Sequence, residues 1–122
     1  MSDRELLELA AKAAGLVIGF SKTSPEQGRP YIWNDEKKKG RWWNPIEDDG
    51  DALRLAVKLR IMLNREINFG CDIVEAIGPK DDDMSRHCST ESIEGDPYAA
   101  TRRAIVRAAA EIGRKMQEGG EE

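Results

Sequence analysis

The segment from residue 96 to about residue 116 constrains the fold more than any other part of the chain. Asp96 suits a helix N-cap, and Pro97 suits the first helical position, where its missing N–H is not needed. Apolar and basic residues then recur at helical spacing, so the sequence predicts one long amphipathic helix. Its predicted inward stripe contains Tyr98, Ile105, Ala109, Ile112 and Met116, and its outward basic stripe contains Arg103, Arg107 and Arg114.

Two shorter helices are predicted upstream. The first covers residues 3–14, with Ser2 or Asp3 as its cap and Gly15 as its stop. The second opens in the acidic run at residues 47–51 and continues to about Lys58. Carboxylates in its first turn suit the positive end of the helix dipole.

Short apolar and aromatic segments predict two β-hairpins. Residues 31–33 and 41–43 pair across a lysine-rich turn. Residues 61–69 alternate as a strand does, although the preceding helix could also continue to about residue 66. We favour the strand, because it then pairs with residues 71–77 across Gly70. Residues 78–95 show little periodicity and are predicted to form a long loop.

These elements predict an α+β protein, a three-layer α/β/α sandwich in which a small antiparallel sheet of two hairpins packs with about three helices. The chain of 122 residues fits a single domain over residues 1–118 with a disordered tail at 119–122.

Composition predicts a soluble cytoplasmic protein. Apolar residues make up 39% and charged residues 34% of the chain, as in folded domains. A net charge of −4 disfavours DNA or an anionic membrane as a partner. No apolar run approaches the roughly 20 residues that span a bilayer, and the charged N-terminus is unlike a signal peptide. Cys71 and Cys88 lie far apart and are predicted to be free thiols.

The tryptophans give the strongest candidate for a binding site, because all three fall between Trp33 and Trp43. On a strand, Trp42 and Trp43 must point to opposite faces, so at most one of them is in the core. The other could stack on a base for roughly 1–3 kcal/mol, could cover a subunit interface, or both could simply hold the sheet against the helices. We predict Trp43 as the ligand-facing residue. The predicted ligand-binding set is Arg41, Trp42, Trp43, Asn44, Asp48, Arg54, Tyr98 and Arg102.

Other constellations are weaker. The acidic turn, with Asp48 and Asp51, is typical of helix caps as well as of a polar contact to a ligand. The arginines of the C-terminal helix fit a solvated face better than a phosphate site. Residues 81–83 with His87 and Cys88 do not have the ligand set of a metal site. Ser85, Ser89 and Thr90 form no triad with His87. We therefore predict no metal, no cofactor and no catalytic residue.

Three blocks of the sequence carry a resemblance to a known family. They read DRELLELAAKAAG at residues 3–15, WNPIEDDGDALRLAVKL at 43–59 and GDPYAATRRAIVRAAAEIG at 95–113. Together they resemble the phage ABA-sandwich domain family, whose members are small phage and prophage proteins usually without an assigned function. The resemblance implies a layered α/β/α fold and a phage origin, but no activity. A fold-level analogy also links the chain to phage proteins that sequester nucleotide second messengers.

The first functional hypothesis is a phage-encoded, homo-oligomeric sponge. It would capture a nucleotide-derived immune signal of the host as an anti-defence protein, without turning it over. The alternative is a protein–protein interaction module that binds and inhibits a host or phage protein. A DNA-binding regulator is disfavoured by the acidic charge balance.

Overall fold

Three helices and six strands make up the part of the chain that the computed structural model describes, which is residues 1–68, 70–80, 86–93 and 95–119. In chain order they are α1 (Asp3–Ala14), β1 (Val17–Phe20), β2 (Pro30–Asn34), β3 (Lys39–Trp42), α2 (Asp49–Leu59), β4 (Met62–Asn68), β5 (Cys71–Lys80), β6 (Arg86–Ser92) and α3 (Pro97–Gly119). The α+β class and the three helices are confirmed. The three-layer arrangement stays a prediction.

The strands form two separate antiparallel sheets, each of three strands, rather than one sheet of two hairpins. The first has the order β1-β2-β3 and the second β4-β5-β6. Both predicted hairpins are present, as β2–β3 and β4–β5. Each hairpin has a third strand that the sequence did not predict, because β1 is short and β6 is polar.

The β6 strand corrects the predicted loop at residues 78–95. Ser89 pairs with Ala76 of β5 and is buried, while the flanking Cys88 and Thr90 are exposed. This alternation is that of a strand with one covered face, but its inward residues are not large and apolar. Residues 81–85, which include the predicted acidic run and Ser85, lie outside the described residues.

In the ambiguous segment at 61–69, Met62–Asn68 form a strand, as predicted, and residue 69 lies outside the described residues. Arg60 caps α2 in the left-handed conformation, with φ 58°, and its N–H bonds back to the last turn of the helix. A residue in this conformation ends the helix, so the chain continues as β4. The predicted caps at the starts of α1 and α3 are confirmed, since Ser2 Oγ accepts from the Glu5 N–H at 3.2 Å and Asp96 Oδ1 accepts from the Tyr98 N–H at 3.0 Å.

The long helix α3 lies at the centre of the molecule and contacts α1, α2, β5 and β6. Its middle is therefore buried on several sides, and the buried residues there are mostly small: Ala104, Ile105, Val106, Ala108, Ala109 and Ala110. The predicted single inward stripe is wrong at both ends, because Tyr98 is 68% exposed and Met116 is also exposed. These two residues lie in the first and last turns, beyond the buried stretch.

The contact between α1 and α3 is close because both helices present small side chains. Ala10, Ala11 and Ala14 of α1 are buried there. Gly113 of α3 lies directly against α1, and a Cβ atom at this position would overlap the Leu9 carbonyl oxygen. A glycine inside a helix costs about 1 kcal/mol relative to alanine, so its place here follows from the packing.

Candidate functional site

The site begins where β3 ends and the chain turns into α2. Trp43 is 2% exposed, and its backbone N–H donates to the Pro30 carbonyl at 3.1 Å. Trp42, the residue before it, is 43% exposed. The two indoles therefore lie on opposite faces, as predicted, but the exposed indole is that of Trp42 and not, as predicted, that of Trp43. The partly buried Ile18 and Ile32 belong to the sheet face that packs on the core, and Trp43 joins that side.

Asp51 holds this region together. Although it is charged, it is only 5% exposed. Its Oδ1 accepts from Arg54 at 2.7 Å and from Arg41 at 3.2 Å, and its Oδ2 accepts from the Asn44 N–H at 2.9 Å. One carboxylate thus joins β3, the turn after it and the first turns of α2.

The hydrogen bonds to Asp51 also set its protonation. Burial by itself would raise the pKa of this carboxyl group. The bonds from the Asn44 N–H, Arg54 and Arg41 outweigh burial, so the pKa of Asp51 is lowered from the ordinary value of 3.8. Asp51 is therefore an ionised structural group at neutral pH.

A polar cavity of about 760 Å³ opens beside this carboxylate. Its positive groups are Arg29, Arg41 and Arg54. The Arg29 guanidinium lies 4.2 Å from the centre of the Trp42 ring and is paired with Glu26 at 3.0 Å. The remaining polar wall comes from the turn that leads into α2, where Asn44, Glu47 and Asp48 lie.

A second, aromatic cavity of about 550 Å³ lies on the outer face of the β1-β2-β3 sheet. Tyr31, Trp33 and Trp42 line it. Trp33 is 40% exposed, and its indole N–H donates to Asp35 at 2.7 Å. Tyr31 meets Trp42 edge to face, with ring centres 6.4 Å apart.

Two glycines let these rings lie close to the sheet. A Cβ atom at Gly19 would overlap the Tyr31 ring, and one at Gly40 would lie 3.3 Å from Cε3 of Trp33. Gly19 is the strand partner of Tyr31, and Gly40 is that of Trp33. The rings therefore rest over backbone where any larger residue would push them away.

Arg41 and Trp42 line both cavities. These consecutive residues point to opposite sides of β3, so they form the boundary between the polar cavity and the aromatic cavity. A ligand that crosses this boundary meets cationic groups at one end and aromatic rings at the other.

Six of the eight predicted site residues line the polar cavity: Arg41, Trp42, Trp43, Asn44, Asp48 and Arg54. Asp48 is also the cap of α2, since its Oδ2 accepts from the Asp51 N–H at 2.8 Å. Arg102 is held elsewhere, with Nε donating to the Ile46 carbonyl at 2.8 Å and Nη1 to Asp49 at 2.6 Å. Arg102 therefore holds the acidic turn before α2 against α3. Tyr98 lies on α3 and lines neither cavity.

Sequence reasoning did not include Arg29 or Tyr31 in the site. Arg29 lies in the irregular segment between β1 and β2, which carries no periodic signal. The sequence predicts that Tyr31 lies on a strand, but its closeness to Trp42 depends on the cross-strand register.

The other candidate groups do not converge on a site. Within the described residues, no three His, Cys, Asp or Glu side chains are placed to hold a metal ion. Cys88 is exposed, and its thiol is free; the side chain of Cys71 lies outside the described part. The helical arginines are paired, Arg103 with Asp3 and Arg107 with Glu91. No helix in the described ranges is both long and apolar enough to cross a membrane.

No family model, curated protein or solved structure matches this chain.

Proposed function

We propose that the protein binds a nucleotide-derived ligand across the two cavities, with the base among the aromatic rings and the phosphate at the arginines. The observation that carries this proposal is the shared boundary, because Arg41 and Trp42 line both cavities. Volumes of about 760 and 550 Å³ lie in the usual range for small-molecule sites. Aromatic stacking at one end and guanidinium pairing at the other match the two halves of a nucleotide.

The arginines are suited to this role because they are already oriented. Arg41 and Arg54 each donate to the buried Asp51, yet their side chains are 52% and 60% exposed. A guanidinium has five N–H donors, so each keeps donors for a phosphate oxygen. Fixing the arginines before the ligand arrives reduces the entropy lost on binding.

The charge balance of the polar cavity favours a ligand with few negative charges. The positive charge of Arg29 is neutralised by Glu26. Arg41 and Arg54 share the single negative charge of Asp51, which leaves one positive charge in excess. Glu47 and Asp48 add two carboxylates to the same wall. These accept hydrogen bonds from ribose hydroxyls or base amino groups, but they repel a triphosphate. A phosphodiester with one charge per phosphate, as in a cyclic oligonucleotide, fits better.

The biological role that we attach to this site is capture without turnover, as a phage-encoded sponge that withdraws a host immune signal. The carboxylate nearest the arginines supports ligand binding rather than catalysis. Asp51 already accepts three hydrogen bonds, and its pKa is lowered. Such a group makes a poor general base at neutral pH. The three sequence blocks that resemble phage proteins support the phage part of the role.

The test is a thermal-shift screen against cyclic di- and trinucleotides and ADP-ribose derivatives, with nucleoside triphosphates for comparison. A ligand at 100 times its Kd stabilises the fold by about 2.7 kcal/mol, which raises the Tm by several degrees. The shift should disappear in Arg54→Ala and persist in Arg114→Ala, which changes an arginine far along α3. The bound ligand should be recovered intact by mass spectrometry after denaturation.

Two results would reject the proposal. The absence of any shift or retained ligand across the panel removes nucleotide binding. A ligand recovered in hydrolysed form shows an enzyme instead of a sponge.

A second candidate function, a protein–protein interaction module, is favoured by the outer face of the β1-β2-β3 sheet. Val17, Trp33 and Trp42 are all substantially exposed on this face. Exposed aromatic residues of this kind are enriched at the centres of protein interfaces. Affinity capture from host cells with wild-type protein and with Trp33→Ala distinguishes the functions, because a module retains a protein partner and no small molecule.

A further inference from the structure

The β4 strand presents an open edge to solvent. Among the residues that the structure describes, it pairs with β5 on one side only, as the outer strand of the β4-β5-β6 sheet. Helix α3 covers β5 and β6, and none of the side chains from residue 62 to residue 67 is buried. Three of these are large and apolar, with Met62, Leu63 and Ile67 at 54%, 45% and 77% exposure.

Natural proteins usually protect such an edge with a proline, a bulge or an inward-pointing charge. The register of β4 with β5 is continuous from Met62 to Asn68 without a bulge, and the strand contains no proline. The charge of Arg65 is neutralised within the sheet, because its Nη2 lies 3.2 and 3.0 Å from the two carboxylate oxygens of Asp72. The open edge is therefore fit to accept another strand.

From these observations we infer that two copies of the chain pair through β4, antiparallel and around a twofold axis at Arg65, to form a continuous six-stranded sheet. The sequence around Arg65 is symmetric in character, since Leu63-Asn64 on one side is mirrored by Glu66-Ile67 on the other. In this register Leu63 lies opposite Ile67 of the second copy, and Asn64 lies opposite Glu66 of the second copy.

The neighbouring registers are worse. Directly opposite residues must share a face of the sheet. The twofold axis must therefore pass through a residue of β4 and not between two residues, so the nearest alternatives to Arg65 are Asn64 and Glu66. An axis at Asn64 sets Leu63 against Arg65, and an axis at Glu66 sets Arg65 against Ile67 and brings two Glu66 carboxylates together. Like charges directly opposite, or apolar groups against charges, disfavour both. At the Arg65 axis the two guanidiniums also meet, but each is already paired with its own Asp72.

The test is sedimentation velocity of the full chain over a range from low to several hundred micromolar. The wild type should show a concentration-dependent dimer. Leu63→Glu alone and Ile67→Lys alone should each weaken it at least about tenfold, because each puts a charge opposite an apolar side chain of the second copy. Within its own sheet the new lysine faces Asp72 and the new glutamate faces Ala76, so neither meets a like charge there. The double variant Leu63→Glu/Ile67→Lys should recover most of the affinity, since it sets opposite charges against each other at two symmetric places.

The matched control is Val17→Glu, which changes an exposed β-branched residue on the other sheet and should leave the dimer unchanged. Wild-type protein that stays monomeric at every concentration overturns the inference. A dimer that neither single variant weakens places the interface elsewhere, and a double variant that does not recover rejects the Arg65 register. Circular dichroism of the variants reports their folding, which these exposed positions should not affect. The ligand screen is read separately, so neither result depends on the other.

Discussion

The two sheets of this protein have the same number of strands, the same order along the chain and the same antiparallel pairing, but they attach to the helices in different ways. The β4-β5-β6 sheet packs α3 directly onto β5, where Val74 and Ala76 are completely buried. In the β1-β2-β3 sheet every residue of β3 is exposed. Its attachment includes Trp43, which follows the sheet, and the bonds from Asp51 to Arg41 and Asn44.

This difference shows where the molecule has surface to use. A sheet that lies flat against a helix has one face in the core, and its side chains there are small or apolar. A sheet held near one end by a tryptophan and a carboxylate keeps much of its area open. Both proposed binding cavities lie at the β1-β2-β3 sheet.

The largest effect is expected at Trp43, because its indole is the largest side chain among those that are fully buried. Replacing a buried tryptophan with alanine costs roughly 3–5 kcal/mol, which is a large part of the stability of a small domain. Trp43→Ala should therefore lower the urea midpoint strongly, as followed by circular dichroism. A loss no greater than that of Trp42→Ala would show that Trp43 does not attach the β1-β2-β3 sheet to the core.

A substitution at the contact between α1 and α3 should lower the stability nearly as much. Gly113→Ala forces a methyl group into the Leu9 backbone, so α1 and α3 must move apart, at a cost of about 3 kcal/mol. Helix propensity alone predicts the opposite sign, a gain of about 1 kcal/mol. Chemical unfolding decides between them, and a stabilised variant would show that the helices are not in close contact.

Asp51→Asn should have an intermediate effect. It weakens the bonds from two arginines and one backbone N–H, and we expect a loss of about 2 kcal/mol at neutral pH. Because the folded-state pKa of Asp51 is lowered from 3.8, its ionic contribution is complete above that value and is lost as the pH falls through the folded-state pKa.

The measurement for Asp51 is the free energy of unfolding at a series of acidic and neutral pH values. The difference between wild type and Asp51→Asn should be largest near neutral pH and should shrink below about pH 4. A difference that stays constant with pH would mean that the charge of Asp51 does not stabilise the fold.

The smallest effect on stability is expected at Trp42. Its ring is half-exposed and its main partner is the Arg29 guanidinium, a contact worth about 0.5–1 kcal/mol at an exposed site. Trp42→Ala should change the free energy of unfolding by no more than about 1 kcal/mol. The same variant should lose nucleotide binding in the thermal-shift screen, whereas retained binding would remove Trp42 from the site.

The local features of the fold were predictable because their signals are local. Ser2, Gly15, Asp48 and Asp96 each occupy the cap or stop position that the sequence indicates. The strand at β4 followed from its alternating pattern. These positions depend on a few neighbouring residues, so no knowledge of the tertiary packing was needed.

The features that were missed depend on contacts distant in sequence. Alternation on β3 predicts that Trp42 and Trp43 face opposite ways, but only the packed helices decide which face is inside. The β6 strand has Ser89 where a large apolar residue would have revealed it. Arg29 enters the site only because the β1–β2 connection brings it over Trp42.

The placement of all three tryptophans in or beside one sheet gives the protein an optical asymmetry. Trp33 is hydrogen-bonded to a carboxylate, Trp42 lies under a guanidinium, and Trp43 is sealed from solvent. Selective excitation of indole therefore reports on the β1-β2-β3 region alone, while the β4-β5-β6 sheet contributes no emission. Quenching by iodide should reach Trp33 and Trp42 but not Trp43. Double Trp→Phe replacements, each leaving one tryptophan, turn the intrinsic fluorescence into three separate probes of this region.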